Sequence, residues 1–244
     1  TGIGFSLPAI VRPDGIPLED DTTFPGWRDA NLPAIAETTF PWPAVFENDA
    51  NIQAFAHVSW GPWDPRTLLA AITVGSGGGA GIVGNGRILR GAKGAAGEVG
   101  HLRVVEQGQR CECGNRGCLQ TIASIDRVLQ RIRRAKRLPQ PPTLAEVVEW
   151  AHRRDAQVLR VLDDVGSAMG RALASLVTLL NPEVVVLAGP FAAIGSTVID
   201  PITRSLMRTA HPAVGPTTPV VMSQLGERSE ALGAASLALA RSLA

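Results

Sequence analysis

Gly97-Glu98-Val99-Gly100-His101, nine further residues, and then Cys111-Glu112-Cys113-Gly114-Asn115-Arg116-Gly117-Cys118-Leu119-Gln120 is the stretch from which the rest of the chain is read. It holds all three cysteines of the 244-residue chain. Three thiols and one imidazole are the donor set of a closed tetrahedral zinc site, and the interspersed glycines let the backbone bend sharply enough for the sulfurs to face one ion. His101, Cys111, Cys113 and Cys118 are therefore the expected ligands of a structural zinc. The alternative from residue chemistry alone is a set of buried, reduced thiols acting as small apolar side chains. Clustering within so short a stretch favours the metal.

With 45% hydrophobic residues, the chain can bury one large core or two modest lobes. Its apolar runs are broken well short of the roughly 20 residues a membrane span needs, and the expected compartment is the cytoplasm, where thiols stay reduced. The formal net charge of +1 lacks the electrostatic footprint of a nucleic-acid-binding domain. A local exception is the run 127–137, with Arg127, Arg131, Arg133, Arg134, Lys136 and Arg137. Val128, Leu129, Ile132 and Ala135 recur through it at near-helical spacing, so it reads as a helix with a solvated basic face.

Strands alternating with helices predict an α/β fold. A strand over 1–11 ends at the turn Arg12-Pro13-Asp14-Gly15, and a loop at Phe24-Pro25-Gly26-Trp27 precedes a helix over 32–38. A short strand 44–46 delivers Glu47-Asn48-Asp49-Ala50-Asn51 at its end, before a helix over 52–58. Strand ends are where α/β folds place ligands, although Asn and Asp are equally ordinary helix caps. Strand 68–74 runs into Gly75-Ser76-Gly77-Gly78-Gly79-Ala80-Gly81, either a loop open to a phosphate or a tight hairpin. It is neither a Walker loop nor a dinucleotide fingerprint. Asn85-Gly86 is a hairpin turn. Helices are expected over 143–153, 156–180, 198–209 and 228–242, and strands over 183–187 and 219–223. Met169 falls in the buried stripe Val158, Leu162, Val165, Met169, Leu173, Leu176, Leu180 and is core material. His57, His152 and His211 show no partner pattern and are read as surface or capping residues.

Glu98-x-Gly-His101 followed by Cys-x-Cys-Gly-Asn-Arg-Gly-Cys-Leu resembles the signature of the ROK family, which contains bacterial sugar kinases and sugar-responsive transcriptional repressors. The resemblance runs from about Gly2 to the C-terminus. It implies an actin-like, ribonuclease-H-like two-lobed fold, with residues 1–60 the remainder of an N-terminal lobe and 61–244 a C-terminal lobe carrying the zinc motif. The closing helix 228–242 is expected to pack back on the first lobe. Ile3-Gly4-Phe5-Ser6-Leu7-Pro8 looks like the middle of a domain, so that lobe is expected to be incomplete, with a segment upstream of Thr1.

By the same resemblance Asn48, Asp49, Glu98, His101 and Gln120 bind sugar hydroxyls, with Asp49 the general base if the chain is a kinase. Gln120 stands where the family has Glu, and keeps the carbonyl acceptor while adding donors. His101 has one ring nitrogen for zinc and one for the sugar. In a kinase Gly75, Ser76, Gly77 and Gly78 hold phosphate, with ATP and Mg²⁺ as co-substrates. Ser76 replaces the usual Thr of that loop, and Thr23 replaces an Asn near the sugar. Several departures lean toward the regulator branch. Pro190 interrupts the loop that accommodates adenosine in the kinases, no Asp-x-Gly-x-Thr phosphate loop occurs, and Leu225-Gly226-Glu227-Arg228 looks like the repressors. The expected function is the sugar-binding effector domain of a ROK transcriptional regulator, with an ATP-dependent hexose kinase as the alternative. The expected partners are a hexose or N-acetylhexosamine, DNA only through a domain outside this chain, no membrane, and further copies in a homodimer or higher homo-oligomer.

Overall fold

The computed structural model describes residues 2–18, 30–75 and 77–242. Thr23, the loop Phe24-Pro25-Gly26-Trp27 and Ser76 lie outside the described residues. In chain order the first elements are β1 (Ile3–Leu7), α1 (Leu32–Thr39), β2 (Ala44–Asn48), α2 (Asp49–Trp60), β3 (Leu69–Val74), β4 (Gly78–Gly84) and β5 (Arg87–Ile88). There follow α3 (Gln120–Ala123), α4 (Ile125–Lys136), α5 (Leu144–His152), α6 (Ala156–Leu180), β6 (Val184–Ala188), α7 (Ser196–Thr209), β7 (Val220–Met222) and α8 (Ser229–Ser242). The chain forms two compact units, one of Thr1–Ala71, Ala80–Gly97 and Gln224–Ala244, the other of Ile72–Gly79 and Glu98–Ser223.

In the first unit β1 and β2 pair in parallel, Ile3 opposite Ala44 through Leu7 opposite Asn48. β1 is shorter than the expected 1–11 because Pro8 has no N–H for the ladder. The turn after it forms as expected, with Gly15 N donating to Arg12 O at 2.8 Å. Leu7, Val11, Ala36 and Phe46 make a small core, and Phe5 stacks on Phe46 with ring centroids 4.8 Å apart. α2 starts at Asp49, three residues earlier than expected, because Asn48 caps it. Ala50 through Val58 is buried on all sides, so the helix is core rather than amphipathic. α8 packs on α2 and β1: Ser229 Oγ donates to Gln53 Oε1 at 3.5 Å and Trp60 Nε1 to Ser236 Oγ at 2.6 Å.

The glycine run takes the second of the two sequence readings, the tight hairpin: β3 ends at Val74, β4 begins at Gly78, and the two strands are hydrogen-bonded neighbours. Sheet pairing overrides the weak strand preference of glycine. At Gly81 the reason is space, since a Cβ there would stand 2.1 Å from Ala50 O at the start of α2. The hairpin at Asn85-Gly86 forms with both residues at positive φ and Val83 opposite Ile88, the geometry of a two-residue turn.

The second unit is built on α6 and α7, with Val158, Leu162, Val165, Met169 and Leu173 buried and Leu180, the end of the expected stripe, half-buried. β6 is buried throughout and pairs in parallel with β7. α6 opens on an Asp155 cap and closes on Asn181 in the left-handed conformation, which satisfies its terminal groups. The basic run forms α4 and its cations are partly committed: Arg131 pairs with Asp164 at 2.7 Å and Lys136 with Asp155 at 2.5 Å. The strands of the larger sheet are hydrogen-bonded in the order β5-β4-β3-β6-β7. No described helix is long and apolar enough to cross a membrane.

Candidate functional site

In the second unit a short 3₁₀ turn, Val99–His101, presents His101, and the chain from Leu102 to Cys118 doubles back on itself to bring up the cysteines. Val104 N donates to Gly117 O at 2.9 Å, Gly117 N to Gln109 O at 2.9 Å, and Cys111 N to Asn115 O at 2.8 Å. Gly117 sits at φ +74, and a Cβ there would lie 1.7 Å from Val105 O, so no other residue fits this crossing.

The four donor atoms of His101, Cys111, Cys113 and Cys118 all lie within 4.8 Å of one another. Zinc bonds of about 2.3 Å to sulfur and about 2.0–2.1 Å to nitrogen put tetrahedral ligands roughly 3.8 Å apart for two sulfurs and roughly 3.5 Å for sulfur and nitrogen. The separations here are 3.7 Å for Cys113 Sγ to Cys118 Sγ and 3.6 Å for Cys111 Sγ to His101 Nδ1. Burial pushes the Cys118 thiol up to about 12, and neighbouring Cys111 and Cys113 push in the same direction. Without a cation the Cys118 thiol therefore resists ionisation; a divalent ion reverses that balance, so the donor set fits zinc. With Nδ1 facing the cysteines, His101 Nε2 lies 3.8 Å from Glu98 Oε2. A single bridging hydroxyl spans that distance, whereas a direct hydrogen bond does not.

Gln120, the first residue of α3, donates from Nε2 to Glu112 Oε1 at 2.7 Å. Gly75 N donates to Gly77 O at 3.1 Å, so that N–H is already engaged within the glycine loop, and Gly78 belongs to β4. After β6, Pro190 begins a 3₁₀ turn in which Ala192 N donates to Gly189 O at 3.0 Å.

Asn48 and Asp49 lie in the first unit, where β2 meets α2. Asn48 Oδ1 accepts from Ala50 N and Asn51 N at 3.0 and 3.1 Å, and Nδ2 donates to Ala9 O and Asp49 Oδ1, both at 3.1 Å. Its two donors and two acceptor positions are thus all engaged internally, and the capping role is the one the geometry displays. Asp49 Oδ1 accepts from Ala50 N at 2.8 Å. Burial raises the Asp49 carboxyl to about 6, and the charge of Glu230, which accepts from Ser6 Oγ, adds to the rise.

Two residues with no role in the sequence reading hold this corner. Glu47 is 1% exposed; its Oε1 accepts from Asn48 N at 3.0 Å and Asn51 Nδ2 at 2.9 Å, and its Oε2 from Arg90 Nε at 2.6 Å. The spacing of Glu47 and Asn51, one turn apart across a helix start, was the available signal; Arg90 on the strand-exit side gave none. His57, expected at the surface, is 2% exposed on α2, and burial lowers its pKa to about 4.

A sequence profile of the ROK family matches residues 1–241. The chain is 33% identical over 245 residues to a glucokinase of Halalkalibacterium halodurans, spanning 95% of this chain and 74% of that protein. It is 35% identical over 244 residues to the DNA-binding transcriptional dual regulator NagC of Escherichia coli, spanning 96% of this chain and 59% of that one. Among solved structures, a ROK glucokinase of Streptomyces griseus in complex with glucose and AMPPNP superimposes with a TM-score of 0.81 at 26% identity, covering 98% of this chain and 81% of the other. Kinases and regulators thus stand at similar distance from it. This α/β chain with its Cys3His cluster has the actin-like fold of those relatives, and it belongs to the ROK family.

Proposed function

We propose that the chain is the sugar-binding effector domain of a ROK transcriptional regulator, stabilised by zinc at His101, Cys111, Cys113 and Cys118. As the family resemblance implies, Asp49, Glu98, His101 and Gln120 are the hydroxyl partners of a monosaccharide. Asn48 contributes by orienting Asp49, and touches the sugar only by giving up one of its internal hydrogen bonds. A polar ligand leaves water on entry, and each unpaired group costs about 1–3 kcal/mol, so several convergent acceptors and donors are what the ligand needs. DNA contact belongs to a domain outside this chain, and self-association to a homodimer or higher oligomer.

Pro190 is the observation that carries the regulator reading: it lacks an N–H and has a fixed φ in the loop after β6, where a kinase would accommodate adenosine. The engaged Gly75 N–H adds to it. Calorimetry of the zinc-loaded protein against glucose, xylose and N-acetylglucosamine, with other hexoses and N-acetylhexosamines, should give saturable binding to at least one; no binding across the panel would sink the reading.

Asp49 favours the alternative, an ATP-dependent hexose kinase. A carboxyl raised to about 6 is matched to general-base work near neutral pH. It would take a proton from the sugar hydroxyl, with Gly75, Ser76, Gly77 and Gly78 at the phosphates of ATP and Mg²⁺. Sugar-dependent ADP release by the full-length protein would establish this reading over the first.

A further inference from the structure

We propose that Glu112, the residue between two zinc-ligating cysteines, is a positioning residue that sets which face of Gln120 the sugar meets. The proposal rests on Gln120 being a sugar partner and adds how that partner is held. Gln120 Nε2 donates to Glu112 Oε1 at 2.7 Å. The amide cannot be turned over in place, because a reversed carboxamide would set its oxygen against a carboxylate oxygen at that distance. With the nitrogen committed, the carbonyl is directed the other way: a Cβ built on Gly77 would stand 3.9 Å from Gln120 Oε1. Gln120 therefore offers an acceptor to an incoming hydroxyl, as a glutamate would, but without adding a second negative charge beside Glu112.

Two consequences separate this from a surface hydrogen bond. The identity of residue 120 is tied to that of residue 112: with Glu112 in place, Gln120→Glu sets two carboxylates where a donor now meets an acceptor. The residue that the resemblance implies for this position should thus be the wrong one here. Glu112 is also carried between Cys111 and Cys113, so the loop that closes on the metal is the loop that orients Gln120. Zinc occupancy and sugar preference are linked through one side chain.

The test is a double-mutant cycle on the zinc-loaded full chain with glucose, xylose and N-acetylglucosamine as probes. Glu112→Ala and Gln120→Glu should each weaken the sugar that binds wild type by about 3–10-fold, the worth of one oriented hydrogen bond. The double variant Glu112→Gln, Gln120→Glu restores a donor facing an acceptor and leaves a carboxylate oxygen for the sugar. Its affinity should return to within about twofold of wild type. Gln120→Glu binding as tightly as wild type, or a double variant no tighter than Gln120→Glu, overturns the proposal. A second measurement needs no sugar. In ¹⁵N-labelled zinc-loaded protein the Gln120 side-chain amide, identified by its loss in Gln120→Glu, should shift and exchange faster with water in Glu112→Ala. Unmoved resonances overturn the role of Glu112. If no probe sugar binds wild type, it is the sugar-binding reading that has failed, and the amide spectrum still decides whether Glu112 holds Gln120.

Discussion

Arg90→Ala removes the only cation that touches the buried carboxylate of Glu47 among the described residues. Glu47 is 1% exposed in its side chain and Arg90 32%, with Nε 2.6 Å from Oε2. Removing one partner of a fully buried ion pair costs about 3–5 kcal/mol, because the other charge is left uncompensated. Two considerations lower the figure. Asn48 N and Asn51 Nδ2 still donate to Oε1, and water can enter the space that the partly exposed guanidinium vacates. A lost charged hydrogen bond alone costs about 1.5–3 kcal/mol, so the expected loss is about 3 kcal/mol. For a chain of this size that is roughly 6–12 °C in Tm. Thermal unfolding of the zinc-loaded protein at neutral pH measures it, with Arg90→Leu, Glu47→Gln as the control, which removes both charges and should recover most of the loss. The same variant should lose sugar affinity, because Glu47 fixes the first turn of the helix that begins with Asp49. A Tm within about 2 °C of wild type, less than 1 kcal/mol at this chain length, would refute the claim that this ion pair holds the corner.

Asp49→Asn should stabilise the fold at pH 7 and above. The folded carboxyl holds its proton up to about 6 against an ordinary 3.8, so wild-type stability is full below 3.8 and falls as pH rises through the folded value. The gain is on the order of 1–3 kcal/mol at pH 7 and vanishes near pH 3.5; denaturant midpoints at the two pH values would expose an error in sign. In the regulator reading the same variant loses about 1.5–3 kcal/mol of sugar binding, while in the kinase reading the full-length enzyme loses about 10²-fold or more in turnover. His57 acts in the opposite direction: its pKa falls from 6.5 to about 4, so its contribution is complete above 6.5 and is lost as pH drops to about 4. His57→Leu should flatten that acid loss, and an unchanged slope in acid unfolding would show that other groups cause it. Purified protein should carry one zinc per chain by metal analysis, and binding to the apo form should release protons measurable by calorimetry in buffers of different ionisation enthalpy. Substantially less than one equivalent with the fold intact would remove zinc from its structural role.

The legible parts of the fold were those written in local chemistry. The helix expected from Thr143 forms as α5, and Asn85-Gly86 turns a hairpin. Each of these signals needs only its immediate neighbours. The Cys3His cluster was legible because its members are rare residue types within one short stretch. His57 was not, because a single imidazole carries no mark of the helix face that buries it; the apolar residues on both sides of it in α2 were the clue. The glycine run could be read as a phosphate loop or a tight hairpin because glycine disfavours strands until a partner strand is present, and that partner is a tertiary fact. Asp49 was found as a residue but not as an acid raised to about 6, since the burial that raises it, and the charge of Glu230 that adds to the rise, come from tertiary packing. The roles of Glu47 and Arg90 are set by tertiary packing, because neither residue type nor spacing announces a pair 43 positions apart.

The discontinuity of the first unit sets an order on how the chain acquires its structure during synthesis. Its pieces are far apart in the sequence, and α8, which covers α2 and β1, is made only after the whole of the second unit. The second unit, by contrast, draws almost entirely on 98–223, and the four residues of its Cys3His cluster fall within 101–118, so the closure that a bound zinc would impose there is short and entropically mild. The emerging polypeptide can therefore complete the second unit while α2 still lacks a cover. Until Ser229–Ser242 leaves the ribosome, the apolar surface of α2 is a substrate for chaperones, and a premature stop before α8 yields a metal-loaded but half-finished molecule.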